Sequence, residues 1–249
     1  TADVYEKHLS DGTAPDASAL TVSGELEVGI VDPDGHSTPK ITVDNGGAGE
    51  YGTLTWSYDA ASGKISYSYT LEENSTDHTA NEQGEDAVQD VFTFTVTVDG
   101  VTQTSTVTVN VHDDMPSIDG VATSDITEGV ASVNGTVAEF IEKGADGDGG
   151  VTAQSGTAGQ YGTFSINASG DYTYSLDNGS ANVQALKAGQ EVTETFSYTY
   201  KDADGDEATG SVIITITGTD DKPVVSVTAD VTADVYEKHL SDGTAPDAS

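Results

Sequence analysis

Carboxylates in this chain recur at alternate positions inside glycine-containing turns, a spacing suited to gripping a hard cation. Asp202, Asp204 and Asp206 alternate in Asp-Ala-Asp-Gly-Asp, Asp146 and Asp148 in Asp-Gly-Asp-Gly, and Asp32 and Asp34 in Asp-Pro-Asp-Gly. A D-x-D pair in a turn can aim two carboxylates at one point while glycine allows the bend, and Ca2+ takes roughly six to eight oxygen ligands. An EF-hand is excluded, because counting from Asp202 puts Glu207 at its glycine position and Ile213 where a bidentate glutamate is needed. Aspartate and glycine also fill turns for backbone reasons alone, so the spacing acquires chemical meaning only where several turns meet.

The elements that must bring them together are strands. Phe92-Thr-Phe-Thr-Val-Thr-Val98 alternates apolar residues with threonine, and Thr106-Val-Thr-Val-Asn-Val111 continues the pattern beyond a turn containing Asp99. Period-two alternation of this kind marks half-buried strands, here a hairpin. Phe196-Ser-Tyr-Thr-Tyr200, the turn at Asp202–Asp206 and Val212-Ile-Ile-Thr-Ile216 repeat the layout. No helix-length 3.6 periodicity occurs, and Val183 to Val192 could hold at most a short turn.

Two levels of repetition organise these strands. Tyr51-Gly-Thr53 matches Tyr161-Gly-Thr163, Asp113-Asp-Met-Pro116 matches Asp220-Asp-Lys-Pro223, and Asp3-Val-Tyr-Glu6, Asp125-Ile-Thr-Glu128 and Asp234-Val-Tyr-Glu237 form a third set. Thr232–Ser249 repeats Thr1–Ser18 without a mismatch, a period of 231 residues. The reading is all-β: two tandem immunoglobulin-like, cadherin-like β-sandwich domains, 1–116 and 117–223, then 224–249 as the start of a following repeat, including its first strand. Val224-Val-Ser-Val227 aligns with the first strand expected near Ile118, whereas nothing corresponding precedes Thr1. The first domain is therefore expected to lack its first strand, and a neighbouring chain could supply one by strand addition.

In a seven-stranded sandwich the second-to-third and sixth-to-seventh strand loops lie at the end where the chain enters. For the second domain these loops are 143–150 and 201–207, and Asp113 and Asp114 arrive at the same end. The expected centre is a calcium site or cluster at the junction of the domains, built from Asp113, Asp114, Asp146, Asp148, Asp202, Asp204 and Asp206. Asp32, Asp34 and Asp99 would form a lesser site at the corresponding end of the first domain. Glu128 and Asp125 fall near the opposite end of their strand.

Composition narrows the function classes. Forty-three acidic against 8 basic residues give a formal charge of −35, which repels nucleic acid and acidic membranes and disfavours compaction unless cations offset it. There is no cysteine for disulfides or thiolate metal sites, and no apolar run approaches the roughly 20 residues that span a bilayer. His8 and His239 are one repeated position, and His36, His78 and His112 have no nucleophile motif beside them, so no catalytic constellation is discernible. Trp56 and Tyr58, and likewise Tyr67 and Tyr69, alternate onto common faces. They read as core or cross-strand pairs; the competing reading is a sugar-binding platform.

The stretch Tyr161–Asn178, Val183-Gln-Ala-Leu186, Phe196–Tyr200, Asp202–Asp206 and Thr217-Gly-Thr-Asp-Asp221 resembles the VCBS-type repeats of large bacterial surface adhesins. The first domain, with Asp77-His78, Gly84-Glu85 and Val111-His-Asp-Asp-Met-Pro116, is similar to a related repeat of type I-secreted RTX adhesins. The resemblance implies a non-enzymatic, calcium-stiffened extender on the cell surface, supporting adhesion or biofilm formation, with adjacent repeats as partners. It carries ligand roles to Asp113, Asp114, Asp202, Asp204, Asp206, Asp220 and Asp221. The alternatives are a self-assembling extracellular filament subunit or a carbohydrate-binding module.

Overall fold

The computed structural model describes residues 1–31, 38–78, 87–221 and 225–227. Residues 1–219 form one compact unit and 220–249 a second. The alternating segments become strands as their period requires. In the first sandwich these are β1 (Ala2–Tyr5), β2 (Thr21–Glu27), β3 (Lys40–Val43), β4 (Gly52–Asp59), β5 (Lys64–Leu71), β6 (Ala87–Val98) and β7 (Val101–His112). One sheet runs β1-β7-β6-β3 and the other β2-β5-β4. The β6–β7 hairpin is tighter than its sequence suggested, because Asp99 and Gly100 both adopt positive φ (45° and 81°) and close it in two residues. That pair suits the twist of flanking strands.

The second sandwich has β8 (Ser117–Ile118), β9 (Ala122–Thr127), β10 (Ser132–Thr136), β11 (Ile141–Glu142), β12 (Gly150–Val151), β13 (Gln154–Ala158), β14 (Gly162–Ile166), β15 (Asp171–Leu176), β16 (Glu191–Lys201) and β17 (Glu207–Thr217). Its sheets run β12-β16-β17-β9 and β10-β15-β14-β13, and β8 pairs with β11 separately. In each sandwich the strand carrying Asp-x-x-Glu lies parallel to the last strand, β1 on β7 and β9 on β17. Helical structure among the described residues is confined to three short 3-10 turns, and Val183 to Val192 holds none of them.

The alternation sends one face of each sheet inward. Phe92, Phe94, Val107, Val109 and Val111 meet Leu54, Ile65, Tyr69 and Leu71 in the first core, while Tyr198, Tyr200, Val212, Ile214 and Ile216 meet Phe164, Ile166 and Tyr174 in the second. Trp56, Tyr58 and Tyr67 pack against the first core, as the core reading expected, and Trp56 stands edge-on to Phe94 at 5.9 Å. Glycines sit under cross-strand tyrosines in both sandwiches: Gly24 faces Tyr67, and Gly135 and Gly210 face Tyr172 and Tyr198, each ring so close that a Cβ would meet its hydroxyl. The Gly24–Tyr67 pair of β2 and β5 thus has its counterpart in the Gly135–Tyr172 pair of β10 and β15.

A pair of buried carboxylates is structural. Asp90 on β6 accepts hydrogen bonds from the Glu50 and Tyr51 amides and from the Tyr69 hydroxyl (2.7, 3.2 and 2.7 Å). Glu194, at the matching position of β16, accepts from the Gln160 and Tyr161 amides and from the Tyr174 hydroxyl. Each clamp ties the loop before a Tyr-Gly-Thr strand to the opposite sheet, and burial with the adjacent acid raises the pKa of both tyrosines. Because Glu194→Ala strands two amides and a phenol in a buried site, it should destabilise the chain by about 3 kcal/mol in denaturant unfolding, with Tyr174→Phe about 1 kcal/mol.

Candidate metal centre

Five segments converge where the first sandwich meets the second. The end of β7 delivers Asp113, the β11–β12 loop delivers Asp146, and the β16–β17 turn delivers Asp202, Asp204 and Asp206. From the first sandwich, the turn after β1 supplies Glu6 and the segment after β5 supplies His78. Ligand-capable atoms lie within 4.8 Å of one another in three sets: Glu6–His78–Asp113, Asp113–Asp146–Asp204 and Asp202–Asp204–Asp206. Asp113 and Asp204 each belong to two sets, so the three form a continuous string.

Local backbone chemistry shapes the Asp-Ala-Asp-Gly-Asp turn. Asp202 Oδ1 accepts the Gly205 and Asp206 amides (3.0 and 2.7 Å), and Gly205 sits at φ 109°, a conformation that favours glycine. That leaves Asp202 Oδ2 facing inward without a donor, as are Asp204 Oδ2, Asp146 Oδ2 and both oxygens of Asp113. Asn74 donates to the other Asp146 oxygen at 3.1 Å. Glu6 Oε1 accepts the Ser75 amide at 2.6 Å and lies 3.2 Å from His78 Nε2, whereas Glu6 Oε2 and His78 Nδ1 have no partner. Both side chains are fully buried.

Buried carboxylates that face one another resist ionisation. Burial first, then the neighbouring Asp206, pushes Asp113 up to about 8; burial first, then Asp204, pushes Asp202 up to about 8. Asp146 rises to about 6 by burial, against the hydrogen bond from Asn74. Glu6 is also raised by burial. Burial opposes protonation of His78, but Glu6, Asp113 and Asp146 together outweigh it and raise its pKa. An oxygen-rich donor set, orphaned and buried at one point, fits a hard divalent cation.

Not every expected ligand joins the string. Asp148 is exposed, ion-paired with Lys143 at 2.5 Å, and accepts the Tyr200 hydroxyl at 3.1 Å; the Lys143 bond lowers its pKa. Asp114 is buried but ties the domains together, accepting from the Thr13 amide and hydroxyl (2.8 and 2.5 Å) and from the Ala145 amide (3.0 Å). Ala145 itself packs into the first domain's core. Asp99 occupies the hairpin turn at the far end of β6 and β7, outside the string. Glu128 accepts the Thr219 amide (2.9 Å) and Gln184 (3.2 Å) at the other end of the second sandwich. Asp220 and Asp221 are exposed, and Asp32 and Asp34 lie outside the described residues.

Glu6 and His78 were not among the sequence candidates. Glu6 had a signal, since Asp3-Val-Tyr-Glu6 recurs as Asp125-Ile-Thr-Glu128 and Asp234-Val-Tyr-Glu237. Its parallel pairing with β7 carries the glutamate to the very end where Asp113 leaves the sheet. His78 had none, being one histidine in a polar loop.

The raised carboxylates predict a sign for pH dependence. Without divalent cations the folded chain holds protons that the unfolded chain releases from about pH 4 upward. Stability in chelator should therefore fall as pH rises toward about 8, the value for Asp113 and Asp202, and His78 contributes in the same direction as it loses its proton. With calcium in excess the melting temperature should stop falling over this window, which calorimetry at stepped pH measures directly.

Residues 113–218 match the family described as bacterial cadherin-like domain. The calcium-binding lectin RapA2 of Rhizobium johnstonii is 33% identical over 135 residues, which cover 53% of this chain and 54% of the relative. The chain thus spans about half the length of that protein. Solved structures aligned with the chain include extracellular cadherin domains 1–4 of protocadherin gamma B7 (15% identity, 87% of this chain, 49% of that chain, TM-score 0.32). The human desmocollin-1 ectodomain aligns at 17% identity over 87% of this chain and 39% of that one (TM-score 0.32). The sequence matches are to a structural domain and to a lectin, in line with a non-enzymatic protein. The second sandwich, together with the Asp113–Asp114 pair that leads into it, matches the bacterial cadherin-like domain.

Proposed function

We propose that this chain is a calcium-stiffened extender segment of a large, type I-secreted bacterial surface adhesin, its tandem sandwiches projecting a binding tip and supporting adhesion or biofilm formation. The observation that carries the reading is the string of buried, mutually facing carboxylates shared by two sandwiches. Bound Ca2+ supplies the positive charge that lets these groups ionise together in a buried place. Asp113 and Asp146 join the end of one sandwich to a loop of the next, while Glu6 and Asn74 hold them from the first. Carboxylates drawn from both domains to common points fix the angle between them.

The composition supports the same reading. At −35 the chain repels itself, so folding is favoured outside the cell, where calcium is abundant, over a cytosol where it is scarce. The RapA2 relative is a calcium-binding lectin. A sugar site here is the less supported reading, since Trp56, Tyr58, Tyr67 and Tyr69 are directed into the core and leave no stacked aromatic platform among the described residues.

Calorimetry and small-angle scattering, with millimolar Ca2+ and with chelator, test the proposal. Calcium should raise the melting temperature and narrow the distribution of interdomain angles. Asp113→Asn and Asp204→Asn should each weaken calcium binding at least about tenfold, because each residue serves two sets. Asp99→Asn should change neither readout. A chain equally stable and equally rigid in chelator would overturn the extender reading.

A further inference from the structure

The three ligand sets of the string differ in donor chemistry. Asp113–Asp146–Asp204 and Asp202–Asp204–Asp206 offer carboxylate oxygens alone, whereas Glu6–His78–Asp113 adds an imidazole nitrogen. Ca2+ surrounds itself with roughly six to eight oxygens, while imidazole suits Zn2+ and its transition-metal neighbours. The sets differ in origin as well. Glu6 follows β1, His78 follows β5 and Asp113 follows β7, so the histidine set is assembled wholly from the first sandwich.

Its side chains are shut away from solvent. Those of Glu6 and His78 have no exposed surface, and Asp113 is 4% exposed. The Ser75 amide donates to Glu6 Oε1 at 2.6 Å and orients that carboxylate, and His78 Nε2 stands 3.2 Å from the same oxygen. A proton between Nε2 and Oε1 answers that pair alone. Glu6 Oε2, His78 Nδ1 and both Asp113 oxygens still have no hydrogen-bond partner among the described residues. Buried polar atoms left in this way point to an ion that takes a ligand from each of the three residues.

Spacing and donor number agree with a small ion. Two tetrahedral ligands held at about 2.0–2.1 Å lie roughly 3.3 Å apart, close to the Nε2–Oε1 separation. One nitrogen and two carboxylates suit Zn2+, which accepts three protein ligands with water as a fourth, far better than a cation that needs about twice as many oxygens. Asp113 has two orphaned oxygens and also belongs to the Asp146–Asp204 set, so it can bridge this ion to the next.

We propose that Glu6, His78 and Asp113 form a transition-metal site of the Zn2+ type, so that the string holds two kinds of ion, with Ca2+ at the two all-carboxylate sets. The proposal rests on the extender reading's premise that the string holds cations, and it adds which ion goes where. Neutral imidazole and the two carboxylates are the protein ligands. The ion ties the turn after β1, the segment after β5 and the end of β7 to one another, and it holds Asp113 in place for the calcium set that reaches the second sandwich.

Titration calorimetry with Zn2+ on the full chain in millimolar Ca2+ tests the proposal, because calcium keeps the all-carboxylate sets filled. One equivalent of Zn2+ should bind with a Kd below about 10 µM. His78→Gln, which offers an amide oxygen that calcium accepts, should weaken zinc binding at least about tenfold and leave the calcium-induced rise in melting temperature unchanged. Asp202→Asn should do the reverse. In the unsubstituted chain one equivalent of Zn2+ should shift the ring-nitrogen resonances of His78, while those of the other four histidines stay in place. Absence of zinc binding in calcium would overturn the proposal, and so would zinc binding that survives His78→Gln. A chain that binds Zn2+ through His78 yet shows no calcium response would support this site and overturn the extender reading.

Discussion

Repulsion among carboxylates held together in a buried place is the constraint on which the rest of this structure depends. Glu6, Asp113, Asp146, Asp202 and Asp206 are all buried where the two sandwiches meet, with His78 as the one cationic group in their sets. Hydrophobic burial in the two cores supplies the stability that lets the chain hold such an arrangement at all. The strands then determine where it lies. β7 and β1 run parallel and end together, and the loops of the second sandwich open toward that same end. A fold of this kind concentrates its electrostatic strain at one place and leaves the remainder of each sandwich conventional.

The Asp90 and Glu194 clamps show what the same residue type does when its partners are donors. Each accepts two backbone amides and a tyrosine hydroxyl, so its charge is answered within the fold. Burial alone therefore does not distinguish a ligand from a strut. The distinction lies in the partners: donors around Asp90 and Glu194, other carboxylates around Asp113 and Asp204. Asp114 falls on the strut side although it adjoins Asp113, because consecutive residues leaving a strand point in different directions and meet Thr13 and Ala145 instead.

Much of this was legible in the sequence. Period-two alternation located the central strands, and the loop order of a seven-stranded sandwich gave the pairing of loops that brings Asp146 and Asp202–Asp206 to Asp113. Asp146 and Asp148 look alike as sequence, and only Lys143, placed to capture Asp148, separates them. His78 could not be read because its significance comes from a long-range approach to Glu6. The two clamps were hidden differently: Asp90 and Glu194 fall in phase with Phe92 and Phe196 on the inward face, where the strand pattern names no donors for an acid until the Tyr-Gly-Thr loops close over them.

The packing of Ala145 in the first core, held by the Asp114 bridge to Thr13, has a mechanical corollary. A loop of the second sandwich is part of the first one's interior, so the two do not meet as beads touching on a string. Tension applied along the chain would load that shared seam in shear before either hairpin could peel. The pair then yields as one element, and the force steps of a stretched molecule would count junctions, not sandwiches.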